Sequence, residues 1–116
     1  MKRNHIAIAM VVSVFAVQSC SIDYLAALNN VDASAVNYTD HIMPLVKSYC
    51  IGCHQGESPA AGVNLETYEN VKKHMVEGNL HTRINDGKDP MPPGELMPPS
   101  YRELFMNWSD NQFKAR

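Results

Sequence analysis

Cys50-Ile51-Gly52-Cys53-His54 is the stretch on which the reading of this chain turns. Two cysteines separated by two residues, followed at once by histidine, form the pattern by which a c-type haem is attached. The spacing has a chemical reason. Each thiol adds across one haem vinyl group, and the two-residue spacer lets both sulfurs reach neighbouring vinyls on one edge of the ring. His54 then falls under the iron as the proximal ligand. The same Cys-x-x-Cys also fits a redox dithiol or half of a zinc site. The rest of the chain decides among the three.

The N-terminus bears on the choice. Lys2 and Arg3 precede an apolar run from Ile6 to Val17 that only Ser13 interrupts, and Gln18-Ser19-Cys20 follows. This is the anatomy of a secretory signal, short for a membrane span. Val17-Gln18-Ser19-Cys20 fits a lipobox, with Cys20 the lipidated residue. Simple cleavage near Ser19 and an uncleaved anchor are the alternatives. Residues 1–20 are thus expected to be a signal peptide, and the chain to be exported to the periplasmic side of a bacterial membrane, held there by lipid. Export leaves little room for a cytosolic dithiol. It also settles the cysteine count: of three cysteines, Cys20 takes the lipid and Cys50 and Cys53 take the haem, with no thiol left over.

Charge excludes a further class. The chain carries 10 Lys+Arg and 12 Asp+Glu, a formal net charge of -2, with no basic run to meet nucleic acid. Removing Lys2 and Arg3 leaves 8 Lys+Arg against 12 Asp+Glu, a balance of -4 that suits partners with a basic docking patch.

With 116 residues the chain holds one small domain, expected over 38–116, with 21–37 as a polar tether. Ile42, Leu45, Val46 and Tyr49 share one face of a helix that Thr39 or Asp40 would cap and that leads into Cys50. Gln55 to Asn64 is a loop, and a carbonyl in it, with Pro59 a candidate, should accept the free N–H of His54. A second helix is expected over 65–77, with Tyr68 and Met75 in its core stripe and His74 exposed. His41 reads as a surface residue. Leu80 and Ile84 face the core together, with Arg83 beside them, and Asn85-Asp86-Gly87 makes a turn. Met91-Pro92-Pro93-Gly94-Glu95-Leu96-Met97-Pro98-Pro99 places four prolines in nine residues, a stiff loop whose low entropy suits a weak thioether donor. From Pro99, the spacing of Tyr101, Leu104, Phe105 and Trp108 predicts a last amphipathic helix, and Ser109 to Arg116 reads as a fraying end.

These residues resemble a family. Tyr38, Ile42-Met43-Pro44-Leu45, Cys50-Ile51-Gly52-Cys53-His54, Gly62-Val63-Asn64-Leu65, Arg83-Ile84, Met91-Pro92-Pro93 and Trp108 are similar to small class I bacterial cytochromes c, in particular the monohaem domains of exported planctomycete and Bacteroidetes proteins. The resemblance covers roughly residues 38 to 108. It implies an all-α fold of three to four main helices packed around one covalently attached haem c. His54 would be the proximal ligand and Met91 the distal one. Met97 is the alternative, because Met97-Pro98-Pro99 repeats the tripeptide. Leu65, Arg83, Ile84 and Pro92 would contact the haem, with the Arg83 fork suited to a propionate.

A haem iron with imidazole and thioether on its two faces transfers electrons. The expected role is therefore a one-electron carrier of the cell envelope, not an enzyme, serving redox partner proteins. The alternative is a haem-based sensor or peroxidase-type module with a labile distal ligand.

Overall fold

Packing of a few aromatic and aliphatic side chains dictates this architecture. The computed structural model describes residues 21–116, so the expected signal and Cys20 lie outside the described residues. Those described form an all-α arrangement with five α-helices: α1 (Ser21–Ala27), α2 (Met43–Tyr49), α3 (Tyr68–Val76), α4 (Leu80–Asn85) and α5 (Pro99–Asp110). Among the described residues there is no strand, and no helix is long and apolar enough to cross a membrane.

Helix α5 is the centre. Its stripe of Tyr101, Leu104, Phe105 and Trp108 is buried, the last two completely at 0 % exposure. Pro99 opens it at a position where the missing N–H costs nothing. Ile42, Leu45 and Val46 supply the facing core, Val71 and Ile84 come from α3 and α4, and Leu65 and Met97 from the connecting loops. Tyr38 and Tyr68 meet edge to face at 5.2 Å, and both rings also pack on Trp108.

Helix α2 begins differently from the expectation. Asn37, not Thr39 or Asp40, is the cap: its Oδ1 accepts the Asp40 N–H at 2.9 Å. Tyr38–Ile42 is then wound as one π turn, and the regular helix starts at Met43 with Pro44 in its first turn. The wide turn brings His41 back onto its own start. The Asn37 N–H donates to His41 Nδ1 at 3.1 Å, so His41 is a half-buried structural residue and not a surface one. Helix α3 starts three residues later than the spacing predicts, because Thr67 Oγ1 caps it through the Asn70 N–H.

Two terminal segments are corrected. Residues 21–37 do not form a free tether; they pack along α5. Leu28 is 5 % and Val36 0 % exposed, Tyr101 Oη donates to the Leu25 carbonyl at 2.8 Å, and Asn111 Nδ2 donates to the carbonyls of Ala33 and Val36. Composition concealed this, since Leu28 and Val36, with Leu25 and Val31 packed beside them, are spread through a stretch rich in Asn, Asp, Ser and Ala. Nor does the C-terminus fray. Gln112 and Phe113 both adopt φ of +57°, which reverses the chain after α5. The Lys114 carbonyl then accepts from Trp108 Nε1 and the Tyr38 N–H, while Thr39 donates N–H and Oγ1–H to the Ala115 carbonyl. Phe113 stands edge-on to Trp108 at 4.8 Å.

The packed segment makes a direct prediction. Leu28→Ala should cost about 2–5 kcal/mol of unfolding free energy, as a buried leucine does. Chemical denaturation of the purified protein measures it. A loss of only a few tenths of a kcal/mol would mean that the segment is a tether after all.

Candidate functional site

The stretch that opened the sequence reading continues α2 by one tight turn. The Val46 carbonyl accepts the N–H groups of both Cys50 and Ile51, and the Cys50 carbonyl accepts those of Cys53 at 3.1 Å and His54 at 3.0 Å. This coiling carries Cys50, Cys53 and His54 to the same wall of a cavity of about 520 Å³. The volume lies within the range of pockets that enclose a small ligand.

The loop after His54 returns on itself. Gly56 and Gly62 take φ of +76° and +70°, left-handed geometry that glycine adopts freely. The Ala60 N–H donates to the Cys53 carbonyl, and the Leu65 N–H donates to the His54 carbonyl at 2.8 Å. The loop thereby lays the Val63 carbonyl 2.9 Å from His54 Nδ1. A carbonyl oxygen only accepts, so Nδ1 is the donor in this bond, and in the neutral ring Nε2 is the nitrogen that can offer a lone pair to a metal. A carbonyl of the expected loop does the orienting, but it belongs to Val63 and not to Pro59. Pro59 instead accepts the Gly62 N–H inside the turn.

A polar brace holds this loop. Glu66 Oε2 accepts from the Gly56 N–H at 3.0 Å and from Asn64 Nδ2 at 2.6 Å, and Asn64 Oδ1 accepts the Glu66 N–H. These bonds hold the Glu66 carboxyl below the usual glutamate range, the Asn64 amide contributing most and the Gly56 N–H next.

The other walls come from distant parts of the chain. Leu65, Leu80 and Ile84 provide apolar surface; Met91, Pro92 and Pro93 come from the proline-rich loop. The Met91 N–H donates to the Arg83 carbonyl at 3.1 Å, fixing that loop to α4. Arg83 lines the cavity with its guanidinium paired to Asp89. That bond holds the arginine more firmly protonated and the Asp89 carboxyl below its usual range. Cys50, Cys53, His54, Leu65, Arg83, Ile84, Met91 and Pro92 therefore share one cavity. Met97 is elsewhere: it is 2 % exposed and belongs to the hydrophobic core.

His74 and Asn79 also line the cavity. His74 is half-buried, contrary to the expectation that it is exposed. The short turn after α3 explains its place: Gly78 passes so close that a Cβ there would lie 3.0 Å from His74 Nδ1. Helical spacing alone shows neither this turn nor the cavity beyond it.

The donors lining the cavity are two thiols (Cys50, Cys53), two imidazoles (His54, His74) and one thioether (Met91), a soft set suited to a transition metal. Burial pushes the Cys50 thiol up to about 11, so at neutral pH it is a protonated sulfur and not a ready nucleophile. Among the described residues no three His, Cys, Asp or Glu side chains converge to hold a metal ion by themselves. Comparison of the chain with protein-family models, with curated proteins and with solved structures finds no match.

The Glu66 brace gives a pH prediction with a definite sign. A carboxyl held lower in the folded state contributes stability above its ordinary range, and that contribution is lost as pH falls through its lowered value. The stability difference between the wild-type chain and Glu66→Gln should thus be largest at neutral pH. It should shrink on acidification below the ordinary glutamate range. Thermal melts of both proteins from neutral to strongly acidic pH measure it; a difference independent of pH would show that the brace is uncharged in effect.

Proposed function

We propose that this chain is a monohaem c-type cytochrome, a one-electron carrier on the outer side of a bacterial membrane. One observation carries the reading: two thiols, an imidazole with a free Nε2 and a thioether, drawn from separated parts of the sequence, line a single apolar-walled cavity.

The residues fit such a group. Cys50 and Cys53 line the cavity as free thiols and would carry the covalent attachment, each adding its S–H across one vinyl group. His54 offers Nε2 while Val63 holds its Nδ1 proton. Met91 offers sulfur from a loop stiffened by proline, and Leu65, Leu80, Ile84 and Pro92 exclude water. Among the described residues no three His, Cys, Asp or Glu side chains converge as a closed zinc site, which takes four, would need. When bound, the haem supplies an Fe(III)/Fe(II) couple that takes up and releases one electron.

The chain's residues set what that couple does. His54 and Met91 would both hold the iron, and with both donors bound the group would supply electron transfer in preference to bond chemistry at peroxide or dioxygen. A neutral thioether favours the reduced state more than a second imidazole would, and apolar walls act in the same direction. Arg83 is the basic group on the cavity wall and would face a propionate, with Asp89 keeping its fork oriented. We assign the domain to the periplasmic side, anchored through lipid on Cys20 and serving redox partner proteins of the envelope. With residues 21–37 packed along α5, its swing above that membrane would be small.

Spectra and a redox titration of the exported protein test this. The account expects one reversible one-electron wave, the weak red absorption band of methionine-ligated ferric haem, and little CO binding by the reduced protein. Met91→Ala should abolish the band and open the iron to CO. Ready CO binding by the unaltered protein would favour a sensor or peroxidase-type module instead.

A further inference from the structure

The repeated tripeptide receives two opposite treatments in this fold. Met91-Pro92-Pro93 lies on the cavity wall, whereas Met97, which begins Met97-Pro98-Pro99, is 2 % exposed in the core. Between α4 and α5 the chain has no regular structure, so something other than a helix or strand must hold the Met91 loop in place.

Arg102, in the first turn of α5, reaches back across the base of that loop. Its Nε donates to the Met97 carbonyl at 3.0 Å, and its Nη1 donates to Asn85 Oδ1 at 2.7 Å. Asn85 is the last residue of α4 and Met97 stands two residues before α5. One guanidinium therefore joins the two ends of the loop. The Met97 side chain locks the far end by burial, and the Met91 N–H to Arg83 carbonyl bond fixes the middle.

We propose that Arg102 and Met97 are positioning residues for the Met91 thioether: Met97 acts as a core anchor and Arg102 as the staple that closes the loop. This rests on the reading of Met91 as an axial donor. The physical need is clear. A thioether is a weak neutral donor, and its bond alone cannot order a loop of this length against the entropy of its residues. Closing the base shortens the free loop, while the prolines stiffen what remains. Arginine suits the place because its planar fork serves two acceptors at once in fixed geometry. The same picture assigns no ligand role to the sulfur of Met97. Only its volume and its backbone carbonyl are used.

The test uses the haem-loaded exported protein, with hydrogen exchange of residues 86–98 and the CO-binding rate of the reduced form as readouts. Arg102→Ala should raise both roughly tenfold, since a bond from a charged donor is lost at the loop base. Exchange in α3 should not change. Arg102→Lys should restore part of the effect, and Asn85→Ala, which leaves the bond to Met97, should give a smaller rise. Met97→Leu keeps volume and carbonyl, so the methionine band should survive. Wild-type exchange and CO rates in Arg102→Ala, or loss of the band in Met97→Leu, would overturn the proposal. If Arg102→Ala fails to fold, Asn85→Ala decides alone: unaltered loop exchange there overturns it. Failure of the Met91 reading looks different, because Met91→Ala would then leave the band of the unaltered protein in place.

Discussion

The hydrogen bond from His54 Nδ1 to the Val63 carbonyl, 2.9 Å long, is the contact on which the site depends. Without it the imidazole could rotate and exchange tautomers, and Nε2 would have no fixed direction. The bond exists because the chain on each side is already constrained. The extra turn after α2 sets the His54 backbone, and the Gly62 turn sets Val63. Glu66 and Asn64 then tie the loop to the start of α3, where Asn70 Nδ2 also reaches Asn64. A single imidazole is thus fixed by the Val63 carbonyl and, behind it, by Gly62, Asn64, Glu66 and Asn70, which do not line the cavity.

The same economy governs the opposite part of the chain. A small domain buries little apolar surface, and several elements here are only one or two helical turns long. Such helices are not stable alone. They are held by side-chain to carbonyl bonds from α5 and its tail: Tyr101 to Leu25, Asn111 to Ala33 and Val36, Trp108 to Lys114, Arg102 to Met97. Helix α5 is therefore a spine that secures the N-terminal segment, the π turn and the proline-rich loop. In the proposed cytochrome, the haem would complete the core that these elements surround only in part. That dependence links attachment chemistry to folding.

Much of this was legible in the sequence, and the reasons differ by element. The last helix was plain because four large apolar residues repeat at helical spacing. The cavity wall was plain where motif chemistry fixes the spacing, as at Cys50, Cys53 and His54, or where composition is extreme, as at Met91 and Pro92. Residues 21–37 read as a tether because Leu28 and Val36 are spread through a stretch rich in Asn, Asp, Ser and Ala, and tertiary packing overrides such composition. The sequence confines the acceptor for His54 to the loop of residues 55–64, with Pro59 a candidate, but does not show which carbonyl turns inward. The left-handed Gly62 moved the inward carbonyl to Val63. Nothing local in the sequence marks Arg102 as a loop staple, since its partners lie five and seventeen residues away.

The central claim is that Cys50 and Cys53 carry a haem beneath which His54 is fixed. The most direct measurement is the intact mass of the protein, purified from a haem-attaching bacterial host, before and after treatment with a thiol-alkylating reagent under denaturing conditions. The account predicts a chain heavier by one haem, with neither Cys50 nor Cys53 open to alkylation. A chain of unaltered mass in which both thiols react would contradict it.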